Sequence, residues 1–122
     1  MTLTARPTTY NGIKMRSRLE ARYAAMLDAM EATWEYEPCA YANASGQYLP
    51  DFLVTALDGK PMRTFVEVRP TLDRAYLAMS QMPVIWDSEP DARLFITVLD
   101  SDSSEGIAFH AYSRDRTWRR IA

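Results

Sequence analysis

Tyr48-Leu49-Pro50-Asp51-Phe52-Leu53-Val54-Thr55-Ala56 and, beyond an Asp58-Gly59 turn, Thr64-Phe65-Val66-Glu67-Val68-Arg69 are the stretches that decide how this chain folds. Both runs are rich in β-branched and aromatic residues and a turn dipeptide separates them, so they are predicted to be two strands of a hairpin. Side chains alternate between faces along a strand. Asp51, Leu53 and Thr55 therefore share one face, and Phe65, Glu67 and Arg69 share one face of the neighbour. Pairing the runs brings both acids and the arginine to one end. Two carboxylates held side by side have the layout of a metal site, and oxygen ligands suit Mg²⁺, which takes one or two protein carboxylates, several waters and substrate phosphate. Metal-assisted hydrolysis of a phosphodiester is the chemistry that such a site implies.

Upstream, residues 1–12 read as an irregular arm with Pro7 and an Asn11-Gly12 turn signal, ahead of one domain over residues 13–122. Ser17 can cap a first helix, on which Leu19, Tyr23, Met26 and Met30 recur at helical spacing with Leu27 beside them. Residues 34–38 alternate like a strand and stop at Pro38. Asn43, Ser45 and Gly46 are turn formers and place a loop over residues 39–47. Downstream, Pro70 blocks the sheet and Thr71 caps a second helix, whose apolar face is Leu72, Ala75, Tyr76 and Met79 and which Pro83 ends. Residues 94–99 are apolar enough for a central strand, residues 100–106 form a loop, and residues 107–112 make the last strand. The order is helix, three strands, helix, two strands. That is an α/β class with a mixed sheet flanked by helices.

A chain of 122 residues is long enough to bury one core without staples. Its single cysteine, Cys39, cannot form an internal disulfide, which fits a reducing cytoplasm and a filler role at a strand end. Residues 1–7 are polar, unlike a signal peptide, and no segment is long and apolar enough to span a bilayer, so a cytoplasmic protein with no membrane partner is expected. A net charge of −2 excludes a uniformly basic surface but not a local groove. Lys14, Arg16, Arg18 and Arg22 precede or line the first helix and are candidate phosphate contacts for DNA. Arg114, Arg116, Arg119 and Arg120 surround Trp118, where a frayed tail is the simpler reading and a stacked base the other. His110 stands alone on a strand, and no zinc spacing, Ser-His hydrolase motif, Walker loop or dinucleotide fingerprint is present.

Pro50-Asp51 followed by a hairpin and Glu67-Val68-Arg69 resembles the signature of the PD-(D/E)XK nuclease superfamily, a Pro-Asp pair and then acid, any residue, lysine. Residues 12–24, the segment Trp34-Glu35-Tyr36-Glu37-Pro38 and the segment from Tyr48 to Phe52 are similar to small nucleases encoded by phages or prophages. The likeness covers roughly residues 10–70; a second Pro-Asp pair, Pro90-Asp91, has no acid-x-basic strand after it. The resemblance implies a restriction-endonuclease-like αβββαββ core and a Mg²⁺- or Mn²⁺-dependent DNA endonuclease, acting in a bacterial or phage-infected cell. It implies that Asp51 and Glu67 hold metal, with the Val68 carbonyl, that Glu20 lies at or near the metal, and that Glu37 matches a family acid. A homodimer would serve for cutting both strands. Ser17-Arg18-Leu19-Glu20 is also a capping box, which gives Glu20 a second and compatible reason to be there. The motif's lysine is Arg69 here. Arginine can stabilise charge on a transition state but is too weak an acid to exchange a proton, so the catalytic set Glu20, Asp51, Glu67 and Arg69 has an alternative: a nuclease-fold module with impaired hydrolysis that binds DNA or protein.

Overall fold

The computed structural model describes residues 7–44, 46–99 and 106–121. In chain order the elements are β1 (Thr8–Tyr10), β2 (Ile13–Met15), α1 (Arg18–Ala29), β3 (Ala32–Tyr36), β4 (Tyr41–Asn43), β5 (Gly46–Tyr48), β6 (Phe52–Leu57) and β7 (Lys60–Arg69). They continue with α2 (Leu72–Gln81), a 3₁₀ turn (Met82–Val84), α3 (Ile85–Ser88), β8 (Arg93–Val98), β9 (Ile107–Ala111) and β10 (Trp118–Arg120). Six strands form one mixed sheet in the order β10-β9-β8-β7-β6-β3, and β1-β2 and β4-β5 are separate hairpins. Only β7 and β8 run parallel, joined by the crossover through α2. The fold is mixed α/β as expected, with β10 added at the sheet's edge.

The expected hairpin is β6 and β7, paired Phe52↔Val66, Leu53↔Phe65 and Val54↔Thr64. Its turn places Asp58 and Gly59 at φ 50° and 76°, the two positive values that a tight hairpin favours and that Asp-Gly supplies at low cost. Because β7 is central, both of its faces are covered. Val66 and Val68 join Phe52, Val54 and the Ala21, Tyr23, Ala24 and Leu27 face of α1. Phe65 joins Leu53, Leu94 and Ile96 against Ala75, Ala78, Met82 and Trp86 on the α2 side. This two-sided burial is why residues 65–68 read as a nearly unbroken apolar run.

Several elements differ from expectation. The arm is not irregular where it is described: Asn11 and Gly12 take φ 47° and 81° and close the β1-β2 hairpin, with residues 1–6 outside the described set. The loop over residues 39–47 contains β4 and β5, Ser45 lying outside the described residues. The strand expected over residues 48–56 is split, since Leu49-Pro50-Asp51 separates Tyr48 on β5 from β6. On α1 the buried face is Glu20, Ala21, Tyr23, Ala24 and Leu27, whereas Met26 and Met30 are exposed. Two alanines let the helix lie close to the sheet, and that contact, not the largest side chains, sets which face is buried. Tyr76 is similarly exposed, and Ala75 with Ala78 forms the buried face of α2. Thr71 caps α2 as expected, its hydroxyl accepting from the Arg74 N–H at 3.3 Å. Residues 118–120 are not a frayed tail but the edge strand β10, and Cys39 is exposed and fills no gap. The loop expected over residues 100–106 lies outside the described residues except for Gly106.

Candidate functional site

Buried Pro50 delivers the chain to Asp51 just before β6, beside the end of β7 that carries Glu67, Val68 and Arg69. The two acids lock each other in place. The Asp51 N–H donates to Glu67 Oε1 at 2.9 Å, and the Val68 N–H donates to Asp51 Oδ2 at 2.9 Å. Each carboxylate thus accepts from backbone adjoining the other, and the Glu37 N–H holds the Asp51 carbonyl at 2.8 Å. Glu67 is fully enclosed and Asp51 is 8% exposed, in strands whose neighbouring side chains are apolar.

Arg69 closes the pair. Its Nη1 donates to Asp51 Oδ2 and to the Val68 carbonyl, both at 3.1 Å, while Nη2 forms an ion pair with Glu67 Oε2. That ion pair lacks hydrogen-bond geometry, which leaves Glu67 Oε2 a buried oxygen without a hydrogen bond among the described residues. The buried Tyr48 hydroxyl beside it also lacks a well-formed one. Burial, and then the charge of Asp51, pushes the Glu67 carboxyl up to about 9 against the opposing pull of Arg69. Asp51 is also raised, by burial first, with Arg69 and the Val68 N–H working the other way. Burial acts to lower Arg69, but the charges of Glu67 and Asp51 outweigh it, so the guanidinium stays charged. One cation thus serves two buried acids. The site favours additional positive charge, whether a proton or a metal.

Glu20 flanks this pair from α1. Ser17 Oγ accepts from the Glu20 N–H at 3.2 Å, one half of a capping box. The other half does not form, because the Glu20 carboxylate turns to Tyr36, whose hydroxyl donates to Oε2 and accepts from the Arg16 N–H at 3.0 Å. Burial raises the Glu20 carboxyl, the nearby charge of Asp51 adds to this, and the Tyr36 hydroxyl opposes it. Among the described residues no three His, Cys, Asp or Glu side chains form a group that could hold a metal ion. Tyr36 is the residue that sequence reasoning missed. Its strand position marks it as a wall of the α1 cluster, and only its polar tip hints at a partner. Glu37 takes φ 46° and pairs with Arg16 Nε at 2.9 Å.

Lys14 on β2, Arg16 in the link after it, and Arg18 and Arg22 on the first turns of α1 are all exposed. Arg16 is engaged by Glu37, whereas Lys14, Arg18 and Arg22 make no ion pair among the described residues. The C-terminal cluster is tied into the fold. Arg116 lies over the Trp86 ring at 5.2 Å, Arg119 pairs with Asp115 at 2.7 Å, and Trp118 Nε1 donates to the Met79 carbonyl at 3.2 Å. His110, half-buried on β9, packs edge-on to Tyr112 at 4.7 Å. Lys60 opens β7 at the end remote from Arg69.

Comparison with family models, with curated proteins and with solved structures finds no match to this chain. Among the described residues no helix is long and apolar enough to cross a membrane.

Proposed function

We propose that the protein is a metal-dependent DNA endonuclease of the restriction-endonuclease-like kind, with its site at the Asp51–Glu67 pair. One observation carries this: two acids are buried together, interlocked through backbone and closed by a guanidinium, beside the buried apolar side chains Phe52, Phe65, Val66 and Val68. Burying paired acids costs several kcal/mol unless they are compensated, and buried acids with strongly perturbed pKa values concentrate at functional sites, so a functional reason is the better explanation. The succession α1, β3, β6, β7, α2, β8, β9 with β7 and β8 parallel supports the finer fold assignment.

The donor set fits Mg²⁺ or Mn²⁺. Asp51, Glu67 and the Val68 carbonyl are hard oxygens, and a guanidinium already stands among them as a cation. They would hold the metal, which would supply Lewis-acid polarisation of the phosphate and acidify water at neutral pH. Arg69 would offer its donors to the non-bridging phosphate oxygens as charge builds in the transition state. It cannot relay a proton. Glu20, with its raised carboxyl and its anchor on Tyr36, would orient water or carry a proton beside Asp51. Lys14, Arg18 and Arg22 would grip backbone phosphates, and cutting both strands of a duplex would take a second copy.

A second reading has its own observation. Arg69 already pairs with both acids, as it would in a site retained for binding after hydrolysis was lost. Nicking assays with Mn²⁺ separate the two. The enzyme reading expects cutting that Glu67→Gln abolishes and Arg69→Ala lowers tenfold or more. Inert wild type with a gain of cutting in Arg69→Lys makes the chain a disabled nuclease. Inertness of both with no Mn²⁺ bound removes the nuclease proposal.

A further inference from the structure

We infer that Arg69 is a resident counter-cation that a divalent metal must displace, so that the site loads by exchanging a guanidinium for the ion. The inference rests on the metal site proposed above and concerns how that site is regulated. Arg69 takes the same three oxygens that the metal would need. Its Nη1 lies 3.1 Å from both Asp51 Oδ2 and the Val68 carbonyl, and Nη2 is paired with Glu67 Oε2. A small hard cation binds such oxygens at about 2.1 Å, so the guanidinium and the metal cannot occupy this space together.

The exchange has a route. The Arg69 side chain is 25% exposed, in contrast to the fully enclosed Glu67 carboxylate, and it sits at the end of β7 where Pro70 ends the strand. The guanidinium can therefore swing outward without opening the core. Displacement frees a planar five-donor fork at the mouth of the site, the geometry that binds a phosphate through two parallel hydrogen bonds. Metal and DNA then bind in order: the metal releases Arg69, and Arg69 meets the phosphate. Without metal the acids are already partly neutralised, which keeps the empty site folded and leaves the arginine unable to recruit DNA.

Competition has a measurable size. If the bridged arrangement outweighs the open one by at least ten to one, apparent metal affinity is lowered by that factor. Titration calorimetry with Mn²⁺ on wild type, Arg69→Met and Arg69→Lys tests it. The expected result is affinity at least tenfold tighter in Arg69→Met, with Arg69→Lys between, because a lysine keeps the charge but can engage fewer of the oxygens. Equal or weaker binding in Arg69→Met overturns the exchange while leaving the metal site standing. Tighter binding in Arg69→Met with Arg69→Lys at the wild-type value also overturns it, since charge alone would then account for the change. If no variant binds Mn²⁺, the metal reading fails and the exchange with it.

A second measurement uses wild type and does not depend on any variant folding. In nitrogen-15 spectra the Arg69 Nη–H protons, identified by their loss in the variant that does fold, should be held in slow rotation without metal. Saturating Mg²⁺ should release them into fast rotation. Protons that stay held at saturation overturn the inference.

Discussion

Tyr36→Phe removes one oxygen atom and should expose how the protein keeps Glu20 buried. The hydroxyl donates to Glu20 Oε2 and accepts from the Arg16 N–H. The second bond faces solvent, and water can replace it. The first cannot be replaced as easily, because Glu20 is 7% exposed and has no other side-chain hydrogen-bond donor among the described residues. A hydrogen bond to a charged group contributes about 1.5–3 kcal/mol, so a loss of about 2 kcal/mol is expected at alkaline pH. With an m-value of about 2 kcal/mol/M the urea midpoint should fall by about 1 M in metal-free buffer. The pH dependence fixes the cause. Burial holds the Glu20 carboxyl above its ordinary value, so its contribution to stability is full below about pH 4.3 and is lost as pH rises through the folded-state value. Without the hydroxyl the charged form loses its donor, the carboxyl rises further, and the alkaline loss deepens. The gap between the two proteins should be widest near pH 8 and close toward pH 4, where Glu20 carries a proton in both. An equal gap at the two ends of the range, or no gap at pH 8, refutes the assignment.

Phe52→Ala should cost about 3–5 kcal/mol by denaturant titration, because Phe52 is fully buried with the rings of Tyr23, Trp34 and Tyr36 at 5.4, 5.5 and 5.4 Å; a loss below 1 kcal/mol would deny it a central place. Arg63→Ala should cost only about 1 kcal/mol, since Arg63 is half exposed where it forks onto Glu89. Arg63 holds the Glu89 carboxyl below its usual range, so this contribution is present above about pH 4.3 and fades as pH falls through the folded-state value; a difference that does not shrink on acidification would trace to packing on the Phe65 ring. If DNA is the ligand, Arg18→Gln with Arg22→Gln should lower the slope of log affinity against log salt by about 2 units. Arg119→Gln, whose arginine is occupied by Asp115, should leave that slope unchanged, and the reverse ranking would put the groove elsewhere.

What could be read in advance follows from how local the cause was. The β6-β7 hairpin was legible because its turn residues and alternation act within a few positions, and both helix caps, Ser17 and Thr71, declared themselves in the same way. The placement of Asp51, Glu67 and Arg69 at one end of the hairpin follows from the period of two. The face of α1 is not legible in this way, because burial there depends on the sheet it meets, which favours Ala21 and Ala24 over Met26 and Met30. The β1-β2 and β4-β5 hairpins are three-residue strands, too short to show a period, although Asn11-Gly12 announced one of the turns. Nothing in the sequence shows that Tyr36 holds Glu20, or that Arg69 bridges both acids and the Val68 carbonyl. Tyr36 and Glu20 are 16 positions apart and Arg69 and Asp51 are 18 apart, and which atoms meet depends on side-chain conformations that the period of two does not set.

Glu67 occupies a fully enclosed position in the middle of a sheet, among Phe65, Val66 and Val68. Two evolutionary pressures meet at that position and pull in opposite directions. An apolar residue of similar volume would pack there without any counter-charge, and replacements of buried ion pairs by hydrophobic groups are often neutral or stabilising. A population selected only for folding should therefore drift at residue 67 toward leucine or methionine, with Arg69 and Asp51 freed to vary in its wake. A population selected for chemistry should keep all three together and tolerate the lost stability. Sorting a library at these positions first by folding and then by cutting would show which pressure has shaped the chain, and whether its lineage is still using the site.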